Sequence, residues 1–197
     1  MIIYPKYRNK GALHWQDYMD INRASYKNWV DWIVSFFPSG SVLDIGCGDG
    51  LFSWLLAENG LDVTGVDVSE DGIKLSRERK DKLDKIPTSC PKFWVMEAEV
   101  LANYDIMNLE FDYALATEII EHIQDYKAIR HIFDKYVKYH MILTTPNGER
   151  SNKGRYHVRE FTEEELREEF KDYKVERIKE VSGIRISNKI IVLKISK

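Results

Sequence analysis

Cysteine is scarce in this chain: there are two, Cys47 and Cys90, and they do not form a C-x-x-C pair. This excludes a disulfide framework and the usual zinc-ribbon spacing, and it fits a reducing compartment. Long apolar runs are also missing. The N-terminal stretch MIIYPKYRNKGALHWQDYMD has no apolar core of signal-peptide length, and no later run approaches membrane-spanning length. A cytoplasmic protein with no membrane partner is therefore expected. Neither sign of charge dominates, because 29 Lys and Arg face 32 Asp and Glu. The net charge of -3 supplies no global field for nucleic acid or membrane surfaces. Internal repeats, low-complexity tracts and Gly/Ser linkers are absent as well. What remains is a chain of 197 residues, 44% apolar and 31% charged, which suits one soluble domain around a single core.

Helical and strand patterns alternate along it. INRASYKNWVDWIVSFF places Ile21, Trp29, Trp32, Ile33 and Phe36 at helical spacing, and Pro38 and Gly40 end it. This aromatic stripe reads as helix packing. SVLDIG is a short buried-strand pattern running into glycines, LFSWLLAEN is a helix stopped by Gly60, and DVTGVDV is a second strand. Ser69 can cap the charged helix EDGIKLSRERKDKLDK, which must end before Pro87 and, with its alternating signs, reads as a solvent face. KFWVME, FDYALAT and HMILTTP read as the third, fourth and fifth strands, with the helix YKAIRHIFDKYV before the fifth. TEEELREEF is a short helix whose Thr162 and Glu165 form a capping box. KVERIKEVS and NKIIVLKIS close the chain as two strands joined through Gly183 without a helix, hence an antiparallel pair at a sheet edge. Alternating strands and helices predict right-handed crossovers and a mostly parallel sheet, with ligands outside the carboxyl ends of its strands.

The loop after the first strand is LDIGCGDGLF. Gly46, Gly48 and Gly50 alternate between a strand and a helix, where glycine tolerates positive φ and lets a ligand approach the backbone. The spacing is G-x-G-x-G, not the G-x-G-x-x-G of dinucleotide enzymes. Asp67, at the tip of the second strand, can accept the hydrogen bonds of a ribose diol. Structurally, the same residues need be no more than a turn and a surface aspartate.

VLDIGCGDG followed by VTGVDVS resembles the class I S-adenosylmethionine-dependent methyltransferases. The resemblance continues through MEAEVL, FDYALATEIIEHI and ILTTPN, from about Ser41 to Phe170. It implies a Rossmann-like three-layer α/β/α sandwich with a seven-stranded, mostly parallel sheet whose last strand is antiparallel. It divides the chain into an N-terminal lid and helix, 1–40, and a methyltransferase domain, 41–197. It implies that the backbone of Gly46, Cys47, Gly48 and Gly50 faces the methionine part of S-adenosylmethionine, with Asp44 near its amino group. Asp67 and Val68 would take the ribose, Glu97 and Ala98 the adenine, and Thr117 would lie near the sulfonium. One departure is YVKYHMIL before the fifth strand, where relatives often carry a Gly-Gly turn.

On the acceptor side, ATEIIEH stands where amino methylases of bases carry (D/N)-P-P-(Y/F), which lowers the case for such a substrate. If TEIIEHIQD starts a helix, Glu118, Glu121 and His122 share one face. E-x-x-E-H here is similar to ubiquinone-biosynthesis O-methyltransferases and to enzymes that methylate the terminal 2′-hydroxyl of small RNAs. That likeness implicates Glu118, Glu121 and His122 in binding a divalent cation, with His157 in GRYHVREFT as a further ligand. A mixed carboxylate and imidazole set suits manganese, cobalt or zinc better than magnesium. Without a metal, Glu118, His122 and His157 can position the acceptor or move its proton, and Glu121 can serve a helix dipole. Arg150, Lys153, Arg155 and Arg159 surround His157 and can recognise an anionic group or simply be solvated. His14, Trp15 and Tyr18 can close the site, or Trp15 and Tyr18 can be ordinary packing residues.

The reading that follows is an S-adenosylmethionine-dependent enzyme methylating a small-molecule hydroxyl by in-line displacement. An RNA-end 2′-hydroxyl is the alternative within the class, and a non-catalytic partner subunit is the alternative outside it. The acidic chain without a separate RNA-binding module argues against the first. The intact glycine loop, Asp67 and the Glu118–His122 cluster argue against the second.

Overall fold

The computed structural model describes residues 6–82, 86–103, 110–148, 157–181 and 190–197. Its strands form a seven-stranded sheet in the order β3-β2-β1-β4-β5-β7-β6, with helices around it. The chain divides into two compact units, Met1–Glu97 and Ala98–Lys197.

In the first unit, α1 (Lys6–Lys10), α2 (Leu13–Met19) and α3 (Ala24–Val34) precede β1 (Ser41–Ile45), α4 (Leu51–Glu58), β2 (Asp62–Asp67), α5 (Glu70–Glu78) and β3 (Lys92–Val95). β1 pairs with β2 and β2 with β3, both parallel, with Asp44 opposite Gly65 and Asp67 opposite Val95. The strands carry continuous apolar runs because a parallel sheet is covered on both faces: Val42, Leu43, Ile45, Val63 and Val66 are buried. α4 is buried almost all round, from Leu51 to Ala57, and Gly60 ends it at φ 89°. The helix expected from Ile21 begins as a single 3₁₀ turn, Ile21–Arg23, and becomes α-helical at Ala24. Ile21 itself is 90% exposed. The buried stripe is Tyr26, Trp29, Val30, Ile33 and Val34, so of the five pattern residues only Trp29 and Ile33 lie in it; Trp32 and Phe36 are half-buried and pack edge-on to each other, while Trp29 packs edge-on to Phe52. Ser69 caps α5 by accepting from the Gly72 N–H, as expected, but the helix gives way to a 3₁₀ turn at Arg79.

The second unit contains α6 (Ala98–Asn103), β4 (Phe111–Thr117), α7 (Lys127–Tyr136), β5 (Val137–Pro146), α8 (Glu163–Glu169), β6 (Lys174–Val181) and β7 (Ile190–Ser196). β4 and β5 are parallel, whereas β7 is antiparallel to both β5 and β6, and β6 forms the sheet edge. The missing Gly-Gly turn is explained by α7 running straight into β5: Val137 is at once the helix C-cap and the first strand residue. Ala128, Ile129, Ile132, Phe133 and Tyr136 bury one face of α7. The capping box of α8 is complete, with Thr162 Oγ accepting from the Glu165 N–H and Glu165 accepting from the Thr162 N–H. No helix among the described residues is long and apolar enough to cross a membrane. Gly183, Arg150, Lys153 and Arg155 lie outside the described residues.

Candidate active site

The glycine loop of the first unit is tied down from several sides. Gly46, Gly48 and Gly50 have φ of 75°, 57° and 76°, conformations that cost any other residue dearly. The N–H groups of Gly46 and Cys47 both donate to the Val66 carbonyl, at 2.8 and 3.0 Å. The Gly48 N–H donates to Asp67 Oδ2 at 2.8 Å, and its carbonyl accepts from Ser76 Oγ at 3.0 Å. The loop thus spends the N–H groups of Gly46 and Gly48 inside the protein, and what it offers a ligand there is close approach. Asp67 uses one oxygen for Gly48 and the other for the Ser69 N–H at 2.7 Å, so its remaining lone pairs have a fixed direction. Ser53 Oγ donates to Asp44 Oδ2 at 2.6 Å. Asp44 Oδ1 is buried without a hydrogen-bond partner among the described residues. Burial, against the lowering effect of the Ser53 bond, pushes the Asp44 carboxyl up to about 7. Cys47 is buried and its thiol is pushed well up, first by burial and then by the Asp44 charge, which makes it an inert loop residue. Val68 is half-buried behind Asp67; Glu97 ends the first unit exposed, and Ala98 opens α6 in the second.

These features fit S-adenosylmethionine. A buried carboxylate oxygen lacking a donor suits an ammonium group, an oriented carboxylate suits a ribose diol, and left-handed glycines admit the chain between them.

The second unit carries a separate cluster. β4 ends at Thr117, and Glu118 follows at φ 51°, a left-handed conformation unusual for glutamate. Glu118 extends the β5 ladder, its N–H donating to the Thr144 carbonyl at 3.0 Å, and its Oε1 accepts from Thr144 Oγ1 at 3.2 Å. The chain then makes a 3₁₀ turn over Ile120–His122, not the start of an α-helix. This corrects the expected common face. Thr145 Oγ1 donates to Glu121 Oε2 at 3.0 Å. Successive strand side chains point to opposite faces, so Thr144 and Thr145 hold Glu118 and Glu121 to opposite sides of β5.

Glu121, His122 and His157 form the group that does converge: each offers a ligand atom, and these atoms lie within 4.8 Å of one another. The Glu118 carboxylate is not among them. Glu121 is 1% exposed, and its Oε1 is 4.0 Å from His122 Nε2. The imidazoles of His122 and His157 meet edge to face at 5.1 Å. His157 arrives from the segment after β5 because the Glu121 carbonyl accepts from Val158 N–H at 2.9 Å and Arg159 N–H at 3.4 Å. Arg159 packs its guanidinium over Tyr126 and Phe161 and pairs with Glu165 at 2.8 Å. It is therefore committed to holding this segment. One carboxylate and two imidazoles suit manganese, cobalt or zinc as a donor set, and magnesium less well.

Sequence reasoning missed Thr144, Thr145, Ser53 and Ser76, small hydroxyls whose role depends on which strand face they occupy. It also passed over Asp49, the one acidic residue inside the loop.

The methyltransferase-domain family profile matches residues 20–183, most of the chain. The chain belongs to that family. This methyltransferase is 39% identical over 89 residues to the ubiquinone biosynthesis O-methyltransferase of Idiomarina loihiensis, covering 45% of the chain and 34% of that protein. It is 37% identical over 112 residues to the mitochondrial ubiquinone biosynthesis O-methyltransferase of Arabidopsis thaliana, covering 57% of the chain and 31% of that protein. The chain thus matches about a third of the length of each. In structure it is similar to the magnesium protoporphyrin IX methyltransferase of Synechocystis with bound SAH. That match has a TM-score of 0.71 and 18% identity over 96% of both chains, which shows a shared fold.

Proposed function

We propose that this S-adenosylmethionine-dependent methyltransferase transfers its methyl group to a hydroxyl oxygen of a small molecule. The convergence of Glu121, His122 and His157 carries the reading. A hydroxyl is a poor nucleophile until its proton is removed or its charge met, and this cluster brings the groups for that task together. The named O-methyltransferases that the chain resembles support the same class of acceptor.

The chain's own residues divide the work. Asp44 receives the cofactor's ammonium group and Asp67 its ribose hydroxyls, while the glycine loop lets the methionine segment approach. Glu121, His122 and His157 would hold a divalent cation, which when bound lowers the pKa of a hydroxyl and orients it. Without a cation, His122, at 23% side-chain exposure, is the member of the pair with Glu121 that an acceptor can reach, and it would take the hydroxyl proton itself.

The test is chelation with two readouts. After EDTA treatment, transfer should fall to background, and manganese or cobalt should restore it. Titrated manganese should also give an altered electron paramagnetic resonance signal in wild type and not in His122→Ala. Full activity after rigorous chelation would reject the cation and leave His122 acting alone. A labelled methyl donor offered to metabolite pools and to short RNAs identifies the acceptor, and transfer only to RNA would overturn the small-molecule reading.

A further inference from the structure

The N-terminal helix α2 ends on the glycine loop through a single aspartate. Asp49 lies between Gly48 and Gly50, and its side chain is fully buried. A buried carboxylate is costly unless donors surround it. Two come from one residue: the His14 N–H donates to Oδ2 at 2.8 Å, and His14 Nδ1 lies 3.0 Å from Oδ1. The Asp49 carbonyl in turn accepts from Trp15 Nε1 at 3.2 Å. Trp15 is 5% exposed, and the Arg79 guanidinium lies over its ring at 3.7 Å.

The chemistry of the helix explains this arrangement. The first N–H groups of any helix lack intrahelical partners and attract negative charge. The N-cap of α2 is Ala12, whose side chain cannot accept. Asp49 supplies the cap from within the loop. Beside the Val66 carbonyl that holds Gly46 and Cys47, Gly48 and Asp49 have three anchors: Asp67 on the Gly48 N–H, Ser76 on the Gly48 carbonyl, and α2 on Asp49. The first two hold Gly48 alone. The third holds Asp49, the residue between the two left-handed glycines. Tyr18, by contrast, donates to Asp31 and accepts from Lys27, and its ring meets Trp15 edge-on.

We propose that His14 and Asp49 are positioning residues for cofactor binding, acting through the backbone of Gly48 and Gly50. Asp49 does not meet the cofactor, since its carboxylate is committed to α2. This inference rests on the glycine loop being the S-adenosylmethionine site. It predicts that the docking of α2 and the affinity for cofactor rise and fall together.

Calorimetry with S-adenosylmethionine and S-adenosylhomocysteine tests it on wild type, Asp49→Asn, His14→Ala and His14→Asn. The two ligands differ in sulfur charge but share their shape. His14→Ala and Asp49→Asn should weaken both ligands alike, by about tenfold or more. His14→Asn should recover most of the affinity, because its amide can donate to Asp49 without being a base. Limited proteolysis should show α2 cut faster in His14→Ala, with protection returning as cofactor is added. His14 is partly exposed, so the His14 variants carry the test if Asp49→Asn fails to fold. Unchanged affinities in His14→Ala would overturn the inference, as would a loss confined to the charged ligand. Failure of wild type to bind either ligand would instead remove the cofactor reading beneath it.

Discussion

The glycine loop and the Glu121 cluster solve the same problem, holding polar groups in fixed directions, in opposite ways. The loop is local. Asp44 to Asp67 spans one strand–loop–helix–strand, and three left-handed glycines and short hydroxyl contacts fix it. The cluster is assembled from two stretches separated by the whole of α7 and β5, and joined through the Glu121 carbonyl and the threonines of β5. A local device is set by residue types in order. An assembled one depends on which face of a strand each side chain occupies, and a change of a single position exchanges the faces.

The comparison breaks most sharply at the reacting groups. His122→Ala and Glu121→Gln should each reduce transfer by about 100-fold or more while leaving S-adenosylmethionine affinity within about twofold of wild type. Single-turnover rates set beside calorimetric affinities check this, and an equal loss of affinity would merge the two regions.

The next effect belongs to the loop. A Cβ at Gly65 would lie 2.9 Å from Cys47 Sγ, 2.9 Å from Phe93 and 3.0 Å from Ser53 Oγ. Gly65→Ala should therefore cost about 1–3 kcal/mol in chemical denaturation and weaken cofactor binding, because it pushes on the loop from beneath. An unchanged midpoint and affinity would show that the loop has more room than the contacts allow.

The pH dependence separates the regions again. The Asp44 carboxyl is raised from 3.8 to about 7 in the folded chain. A raised acid binds its proton more tightly when folded, so its contribution to apo stability is full below 3.8 and is lost as pH rises through about 7. Cofactor binding has the opposite sign, since an ammonium group prefers the ionised form. Affinity should fall roughly tenfold per pH unit below about 7, and Asp44→Asn should flatten that slope. A flat wild-type profile between pH 5.5 and 7 would contradict the assigned role, in binding titrations spanning about that range.

The smallest effect expected is at Arg159. Its ion pair with Glu165 is exposed, and its stack on Tyr126 and Phe161 is partly so. Arg159→Ala should cost about 1 kcal/mol in stability, yet reduce transfer and cation affinity more than that figure suggests by releasing His157. Loss of stability without loss of cation affinity would make Arg159 a packing residue alone.

Much of the fold was legible because its signals are short-range. Alternating strand and helix patterns, the Ser69 and Thr162 caps, and the helix-free step between the last two strands all act within a few residues. Ile21 was misread because apolar spacing alone cannot tell a helix face from the 3₁₀ turn that precedes it. The glycine loop was legible as a strand–loop–helix for the same local reason, with Asp44 and Asp67 beside it. The Glu121 cluster was legible only in composition. Glu118, Glu121 and His122 share a face in an α-helix, but Glu118 adopts φ 51° and continues the β5 ladder, so the helix never starts there. The long reach of His157 depends on backbone hydrogen bonds to Glu121, which no spacing rule encodes. His14 and Asp49 were visible as residue types, but their pairing joins segments that have no common motif.

The most direct measurement is calorimetric titration of S-adenosylmethionine into wild type, Asp67→Ala and His122→Ala. Saturable binding to wild type is expected, with its loss in Asp67→Ala and wild-type affinity in His122→Ala, whose methyl transfer is nonetheless abolished. Absence of binding to wild type, or binding that survives in Asp67→Ala and disappears in His122→Ala, would contradict this expectation.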